Sequence, residues 1–166
     1  MIALIAAMCS NGVIGNDGNL VCRFRRDMEH FKMLTIGNTV VMGYNTYMSL
    51  PSQKPLKGRR NIILSRRLDT SSVPEGFELA TSVEDVLEMT KGEHMVFIIG
   101  GGKVYSEFMP YAERMFLTYI DKDFDGDTYF PEFGDEWILY KSFEIEDDPD
   151  VDFTYYFNYY VRKTDN

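Results

Sequence analysis

The sequence predicts a three-layer α/β fold, with a mostly parallel, twisted sheet, helices on both faces and a carboxyl-terminal antiparallel hairpin. Over residues 1–120, short runs that are apolar throughout alternate with helical patterns, which is typical of a sheet covered on both faces. The last third alternates with a period of two, as antiparallel strands do. No repeat or long linker divides the chain, so we expect one domain over residues 1–166.

The predicted parallel strands are continuous apolar runs at residues 2–8, 39–42, 61–64 and 95–99. The first run has no basic segment before it, so it is interpreted as a buried strand and not as a signal peptide. Strands that are apolar on both faces belong in the middle of a covered sheet.

Helices are predicted between these strands, over residues 25–35, 46–50, 83–90 and 102–109. The third has a favourable start, because the Ser82 hydroxyl and the acids Glu84 and Asp85 can satisfy its first free backbone N–H groups.

The last third predicts a strand at 115–120 and an antiparallel pair at 137–145 and 153–161, joined by the acidic turn 146–152. That turn lacks the glycine and closing glutamate of a calcium-binding loop, so we interpret it as a solvated turn.

Composition excludes several functional classes. The apolar share of 45% and charged share of 26% are typical of a globular chain, and no apolar run is long enough to span a bilayer. Two cysteines (Cys9 and Cys22) and two histidines (His30 and His94) predict neither a disulfide framework nor a metal site. We therefore expect a reducing, cytoplasmic setting. The net charge of −9 argues against nucleic acid as a partner.

The charge is distributed unevenly along the chain. Residues 1–67 carry ten Lys/Arg and three Asp/Glu, whereas residues 68–166 carry seven Lys/Arg and 23 Asp/Glu. A basic stretch in an acidic protein can form a local site for an anion, and scattered solvated side chains explain the pattern about equally well.

Three predicted strands run into sequences suited to an anion. One is followed by Gly43 and a helix start, one by Arg66 and Arg67, and one by three glycines and Lys103. Ligands of open α/β sheets bind beyond the carboxyl ends of the strands, where glycines let the backbone approach a phosphate. Tight turns explain the glycines of any one segment, but the three together favour a phosphorylated ligand.

Asp27 is the second indication of a site, because it shares a helix face with Phe31 and Leu34. A carboxylate on this inward stripe is partly desolvated, and an N–H-rich heterocycle can partner it. The alternative is an exposed acid stabilised by the helix dipole. The preceding residues 10–24, with three glycines, are expected to form a mobile lid or a plain surface loop.

The order and spacing of these motifs resemble dihydrofolate reductases from Met1 to about Arg162. The segments that carry the resemblance are IALIAA at 2–7, VIG at 13–15, Asp27 with Phe31-Lys32, VMG at 41–43, Thr46, LKGR at 56–59, NIILS at 61–65, IIGGGKVY at 98–105, Leu117-Thr118 and GDTYFP at 126–131. No single segment is specific, but the combination is highly specific.

The resemblance implies reduction of 7,8-dihydrofolate to 5,6,7,8-tetrahydrofolate by hydride transfer from NADPH to C6 of the pterin, in support of one-carbon metabolism and thymidylate synthesis. Asp27 matches the carboxylate that holds the pterin 2-amino and N3 groups and favours protonation at N5. Thr118 is expected to hydrogen-bond Asp27, and Leu20 to lie at the same catalytic centre. The resemblance also implies a cytoplasmic monomer that binds antifolate inhibitors, without membrane or nucleic acid.

Arg59 matches the arginine that pairs with the substrate's α-carboxylate, where a planar fork suits a bidentate bond. Lys32 is expected either to assist it from the helix or to be an exposed charge. The implied apolar walls of the substrate pocket are Ile5, Ala7, Leu20, Met28, Phe31, Leu50, Leu56 and Ile99. Core packing explains the same apolar residues equally well.

For the cofactor, the resemblance implies that the three glycines and Thr46 approach the pyrophosphate, with a cis bond between Gly100 and Gly101. Asp127 matches the residue that hydrogen-bonds the lid backbone. The full set of expected cofactor residues is Ala7, Ile14, Gly43, Thr46, Ser65, Arg66, Arg67, Gly100, Gly101, Gly102, Lys103 and Val104.

Two positions depart from the family pattern. Val21-Cys22 stands where Pro-Trp is usual, and Cys22 is interpreted as a packing residue because no positioned histidine accompanies it. Tyr44 stands where an arginine commonly meets the cofactor's 2′-phosphate. Arg66, Arg67 and Lys103 are expected to replace that charge.

Two other functions stay open. A pyrimidine reductase of riboflavin synthesis shares the architecture, although Asp27, Arg59 and Thr118 argue against it. A nucleotide- or folate-binding protein with little turnover is consistent with Cys22 at the place of the usual tryptophan.

Overall fold

The computed structural model describes residues 1–164. In chain order its strands and helices are β1 (Ile2–Cys9), β2 (Val13–Asn16), β3 (Asn19–Leu20), α1 (Arg25–Thr35), β4 (Thr39–Gly43), α2 (Tyr44–Ser49), β5 (Arg60–Leu64), β6 (Phe77–Ala80), α3 (Val83–Met89), β7 (Val96–Ile98), α4 (Gly102–Phe108), β8 (Ala112–Ile120), β9 (Thr128–Tyr129), β10 (Trp137–Ile145) and β11 (Tyr155–Arg162). None of the helices in residues 1–164 is long and apolar enough to cross a membrane.

The main sheet has eight strands in the order β10-β11-β8-β1-β7-β4-β5-β6. The six strands from β8 to β6 run parallel to their neighbours. Strand β11 runs antiparallel to β8, and β10 pairs antiparallel with β11. The predicted mostly parallel sheet with a carboxyl-terminal antiparallel hairpin is confirmed.

Helices cover both faces of this sheet, as predicted. Along β1, Ile2 and Leu4 point into one apolar cluster, which α3 and α4 complete with residues such as Val86 and Phe108. Ala3 and Ile5 point into the opposite cluster, which α1 and α2 complete with Phe31, Leu34 and Tyr47. Because successive strand residues face opposite ways, a strand buried on both sides must be apolar throughout.

Several element boundaries differ from the predicted ones. Helix α2 begins at Tyr44, two residues early, because the extended backbone of Gly43 already ends the strand. Strand β11 begins at Tyr155, two residues late, because Phe153 packs instead against the rings of Phe24 and Phe124 in the turn.

The sequence patterns did not reveal four short strands, β2, β3, β6 and β9. Strands of two to four residues carry too few positions for a period of two to be recognised. Three of them form a small antiparallel sheet, β3-β2-β9, so the segment predicted as a lid is partly ordered by strand pairing.

Candidate active site

The first residues of α1 direct Asp27 towards the main sheet. Phe24, which precedes the helix, is buried against Phe153 and Tyr155, with ring centroids 5.6 and 4.7 Å away. This packing fixes the start of the helix one turn before Asp27. The Thr118 hydroxyl on β8 donates a hydrogen bond of 2.5 Å to Asp27 Oδ1, so the expected contact between these two residues is present.

Asp27 is a desolvated acid without a cationic partner in residues 1–164. Burial raises the pKa of its carboxyl group, and the hydrogen bond from Thr118 lowers the pKa by a smaller amount. No lysine or arginine of the described chain forms an ion pair with it. Such a carboxylate is suited to accept hydrogen bonds from a ligand that carries several N–H groups.

The desolvated carboxylate predicts that Asp27→Asn stabilises the ligand-free protein at neutral pH. The pKa of Asp27 is higher in the folded than in the unfolded chain, so stability falls as pH rises through the interval between these two values. Above that interval the buried charge still lowers the free energy of unfolding, and an uncharged asparagine avoids this loss. Urea unfolding at several pH values measures the difference, which should shrink towards zero in acid. A difference that is the same at every pH would contradict the assignment.

His30, one turn after Asp27, anchors α1 on the sheet. Its ring stacks on Phe157 at 3.9 Å between centroids, and its Nε2 lies 2.7 Å from the Tyr159 hydroxyl. Burial lowers the pKa of His30 to about 4, so the ring is neutral at physiological pH. The sequence did not single out this residue, because a lone histidine carries no motif.

Five of the predicted substrate-pocket walls share one apolar cluster beside Asp27. Ile5, Phe31, Leu50, Leu56 and Ile99 pack together with the core of that face. All but Ile5 are half-buried, so they form the border of the cluster and leave part of their apolar surface exposed. The sequence missed Phe116 and Tyr159 of the same cluster, whose rings pack edge to face at 5.0 Å.

The other predicted pocket residues are exposed or belong to another cluster. The Leu20 side chain on β3 is 57% exposed and that of Met28 on α1 is 50% exposed. Ala7 packs in a separate cluster around Phe24, and Lys32 is exposed. Their contacts with a substrate stay predictions.

Arg59 is held in place by two hydrogen bonds of its own guanidinium. Its Nε donates to the Lys57 carbonyl at 3.0 Å, and Nη1 donates to the Thr35 hydroxyl at 3.1 Å. Asn61 fixes the preceding turn by bonding both the backbone N–H and the carbonyl of Leu56. Arg59 forms no ion pair with a carboxylate of residues 1–164, so its charge is free for an anionic ligand.

A cleft of about 960 Å³, here called the glycine-floored cleft, lies beyond the carboxyl ends of β4 and β5. Most of the predicted cofactor residues line it, namely Gly43, Thr46, Ser65, Arg66, Arg67, Gly101, Gly102, Lys103 and Val104. Ala7, Ile14 and Gly100 do not line it. Tyr44, which the resemblance places near the 2′-phosphate, also lines it, and the walls that the sequence did not predict include Asn45, Thr81, Ser82, Glu107, Tyr111 and Thr128.

Neither Gly43, which lines this cleft, nor Gly100, which is hydrogen-bonded to it, has room for a side chain. The Gly43 N–H donates to the Gly100 carbonyl at 2.9 Å, and a Cβ on Gly43 would lie 2.8 Å from Val104 Cγ2. Gly100 has a φ of +132°, which side chains rarely adopt, and the Gly100–Gly101 bond is cis as predicted. Because Gly43, Gly101 and Gly102 line the cleft without side chains, a ligand can approach their backbone at close range.

Tyr105, which the sequence did not single out as a site residue, lies between Ile5 and Gly100. Its buried hydroxyl donates to the Ile5 carbonyl at 2.7 Å, and it lies 3.5 Å from where a Cβ of Gly100 would stand. Burial, and to a smaller degree the charge of Asp27, raises the pKa of Tyr105. One tyrosine therefore links Ile5 of the apolar cluster to Gly100 beside the glycine-floored cleft.

The segment before α1 is tied down by hydrogen bonds to the connection between β8 and β9. The Asp17 N–H donates to Asp127 Oδ2 at 3.1 Å, which is the expected contact of Asp127 with the lid. Ser10 donates to Asp123 at 2.5 Å. At the end of the segment, burial and the nearby Asp27 charge raise the pKa of the Cys22 thiol, as suits a packing residue and not a nucleophile.

The glycine-floored cleft fits a phosphorylated dinucleotide. Its volume is large enough for one, its floor exposes backbone, and Arg66, Arg67 and Lys103 form no ion pair with a carboxylate of the described chain. No group of His, Cys, Asp and Glu residues among 1–164 could hold a metal ion.

Comparisons with known proteins agree on one family. The family model described as dihydrofolate reductase matches residues 1–162. The chain is 41% identical over 133 residues to the dihydrofolate reductase type 3 of Salmonella typhimurium, covering 80% of each chain. It is 35% identical over 164 residues to the dihydrofolate reductase of Bacillus subtilis, covering 98% of this chain and 95% of that one.

A solved structure gives the same result. It is a dihydrofolate reductase from Enterococcus faecalis complexed with NADP(H) and RAB-propyl, with a TM-score of 0.90 and 31% identity. The match covers 99% of this chain and 97% of the other.

Proposed function

The chain belongs to the dihydrofolate reductase family, and from this premise we propose how its own residues carry out the reaction. The enzyme reduces 7,8-dihydrofolate to 5,6,7,8-tetrahydrofolate with NADPH, and so supplies one-carbon metabolism. The observation that carries the residue assignments is the desolvated Asp27, which accepts a hydrogen bond from Thr118.

Asp27 holds and polarises the pterin. Its carboxylate accepts hydrogen bonds from the 2-amino group and from N3–H, which fixes the ring against the apolar walls Phe31, Leu50 and Ile99. A negative charge in this desolvated place stabilises the cation that forms when N5 is protonated through water. Hydride addition to C6 is then easier, because the neighbouring nitrogen already carries the proton. Thr118 keeps the carboxylate in this orientation.

The glycine-floored cleft holds NADPH, which supplies the hydride when bound. Thr46, Gly101 and Gly102 lie where a pyrophosphate can contact backbone and hydroxyl groups directly. Arg66 and Arg67 supply positive charge for the 2′-phosphate at the other side of the cleft. Tyr105 lies between this floor and Ile5, where the two ligands face each other.

Removing both arginines tests the 2′-phosphate site. The double variant Arg66→Ala/Arg67→Ala is expected to weaken NADPH binding by about 10²-fold more than NADH binding, since only NADPH carries the phosphate. Titration calorimetry with each nucleotide measures the two dissociation constants. Equal losses for the two nucleotides would refute this role of the arginines.

A steady-state assay tests the activity itself. Loss of nicotinamide absorbance that requires dihydrofolate is the expected result, with a higher kcat/KM for NADPH than for NADH. Tight binding of folate without this loss would instead indicate a binding protein. Turnover of an aminopyrimidine substrate in place of dihydrofolate would indicate a pyrimidine reductase.

We further propose that the enzyme acts as a monomer in the cytoplasm and binds antifolate inhibitors at Asp27. Supporting this, Asp27, Arg59 and the glycine floor all come from one chain, and Cys9 and Cys22 are free thiols. An inhibitor with a protonated 2-aminopyrimidine would complement the Asp27 carboxylate. Light scattering on the purified protein should give the mass of one chain, and a dimer mass would contradict the proposed monomer.

A further inference from the structure

The guanidinium of Arg67 lies over the ring of Tyr44 in the glycine-floored cleft, with Cζ 5.1 Å from the ring centroid. We propose that Tyr44 is a positioning residue, which holds Arg67 over the cleft and thereby determines the preference for NADPH over NADH. This inference rests on the proposed function, because it assigns one part of the NADPH site.

The two side chains meet because of the sheet topology. Tyr44 is the first residue after β4, and Arg67 lies three residues beyond the end of β5. These strands are parallel neighbours in which Gly43 is paired with Leu64, so both residues emerge at the same edge of the sheet. Both line the glycine-floored cleft.

The Tyr44 ring is a fixed platform. It is half-buried, and its centroid lies 6.1 Å from that of Tyr47, which is buried. Tyr47 in turn packs edge to face on Phe77, at 5.1 Å. This row of rings connects Tyr44 to the apolar core and restricts the positions that it can adopt.

The backbone of Arg67 is also fixed, whereas its guanidinium is held by no ion pair in residues 1–164. Its N–H donates to the Ser65 hydroxyl at 3.0 Å, and the Ser65 N–H donates to the Ala80 carbonyl at 2.9 Å. The Arg67 side chain is exposed and forms no ion pair with a carboxylate of residues 1–164. A free arginine loses rotamer freedom when it binds a phosphate, and the stack removes part of that loss beforehand.

The stack also distinguishes Arg67 from Arg66. Both line the cleft, but of these two arginines only Arg67 lies over an aromatic ring of the described residues. Stacks of this kind change an equilibrium by between about 2-fold and 30-fold, depending on how far the pair is desolvated. For a half-buried ring we expect an effect of about fivefold.

The first test replaces the ring. Tyr44→Leu removes the aromatic face, whereas the matched control Tyr44→Phe keeps the face and loses only the hydroxyl. Dissociation constants for NADPH and NADH are measured by titration calorimetry at one ionic strength. We expect the NADH-to-NADPH ratio of these constants to fall about fivefold in Tyr44→Leu and to be kept in Tyr44→Phe.

The second test asks whether Tyr44 acts through Arg67. In the Arg67→Ala background the ratio is already lowered, and adding Tyr44→Leu should lower it no further, because coupled residues are not additive. Lys141→Ala on the distant strand β10 removes the same charge and controls for general electrostatics. Independent, additive losses of the ratio would overturn the positioning role.

Failure of the inference and failure of the proposed site give different results. If the natural protein binds NADPH more tightly than NADH and Tyr44→Leu keeps that ratio, the inference is wrong and the NADPH site stands. If the natural protein binds both nucleotides equally, the 2′-phosphate site itself is wrong. A loss of affinity that is the same for both nucleotides in Tyr44→Leu would show a merely structural effect and would also overturn the inference.

Discussion

Asp27→Asn is expected to lower kcat for dihydrofolate at neutral pH by roughly 10²- to 10⁴-fold, the range that positioned acid–base groups contribute. Asparagine keeps the shape of the side chain, and its oxygen can still accept the hydrogen bond from Thr118. What the variant loses is the negative charge that, in the proposed mechanism, stabilises a protonated N5. The loss should therefore be partly recovered in acid, where N5 takes its proton from solution.

The measurement is kcat as a function of pH for the natural protein and the variant. Glu29→Gln is a matched control, because it neutralises an acid on the same helix whose side chain is 70% exposed. This control should leave the profile unchanged. Equal neutral-pH turnover of Asp27→Asn and the natural protein would remove Asp27 from the mechanism.

Arg59→Ala is expected to raise KM for dihydrofolate by about 10²-fold while kcat at saturation changes little, since a bidentate pair with the α-carboxylate is lost. Arg59→Lys should lie between the two, because an ammonium keeps the charge without the fork. The effect should be confined to substrates that carry the glutamate. A dihydropterin without that tail is therefore the control substrate.

Because Arg59 also bonds Thr35 and the Lys57 carbonyl, its replacement loosens the turn that holds Leu56. Thermal unfolding of the variants measures that separate loss. If Arg59→Ala raises KM equally for dihydrofolate and for the tailless pterin, the damage lies in the pocket and the assignment to the α-carboxylate is wrong.

The parts of this fold that were predictable from sequence are those in which a local pattern and a tertiary requirement coincide. The run at β1 is apolar on both faces because two helical layers cover it, and the spacing of Asp27, Phe31 and Leu34 gives the inward face of α1 directly. The glycines after β7 are local as well, because a close backbone approach requires them.

The parts that could not be predicted depend on distant pairings. Tyr105 reaches the Ile5 carbonyl across 100 positions of sequence, and nothing near either residue announces the contact. The stack of Tyr44 on Arg67 depends on the register of β4 with β5. The exposure of Leu20 depends on the pairing of β3 with β2, a strand pair too short for any periodic pattern.

In the proposed mechanism the chain aligns NADPH against C6 of a pterin held by Asp27, and the fate of a labelled hydride is the sharpest test of this alignment. Single-turnover reaction of dihydrofolate with NADPH deuterated at both C4 positions, followed by NMR of the product, locates the transferred atom. The account predicts one deuterium at C6 of tetrahydrofolate and none at N5 or C7. An unlabelled product, or deuterium at C7, would contradict it.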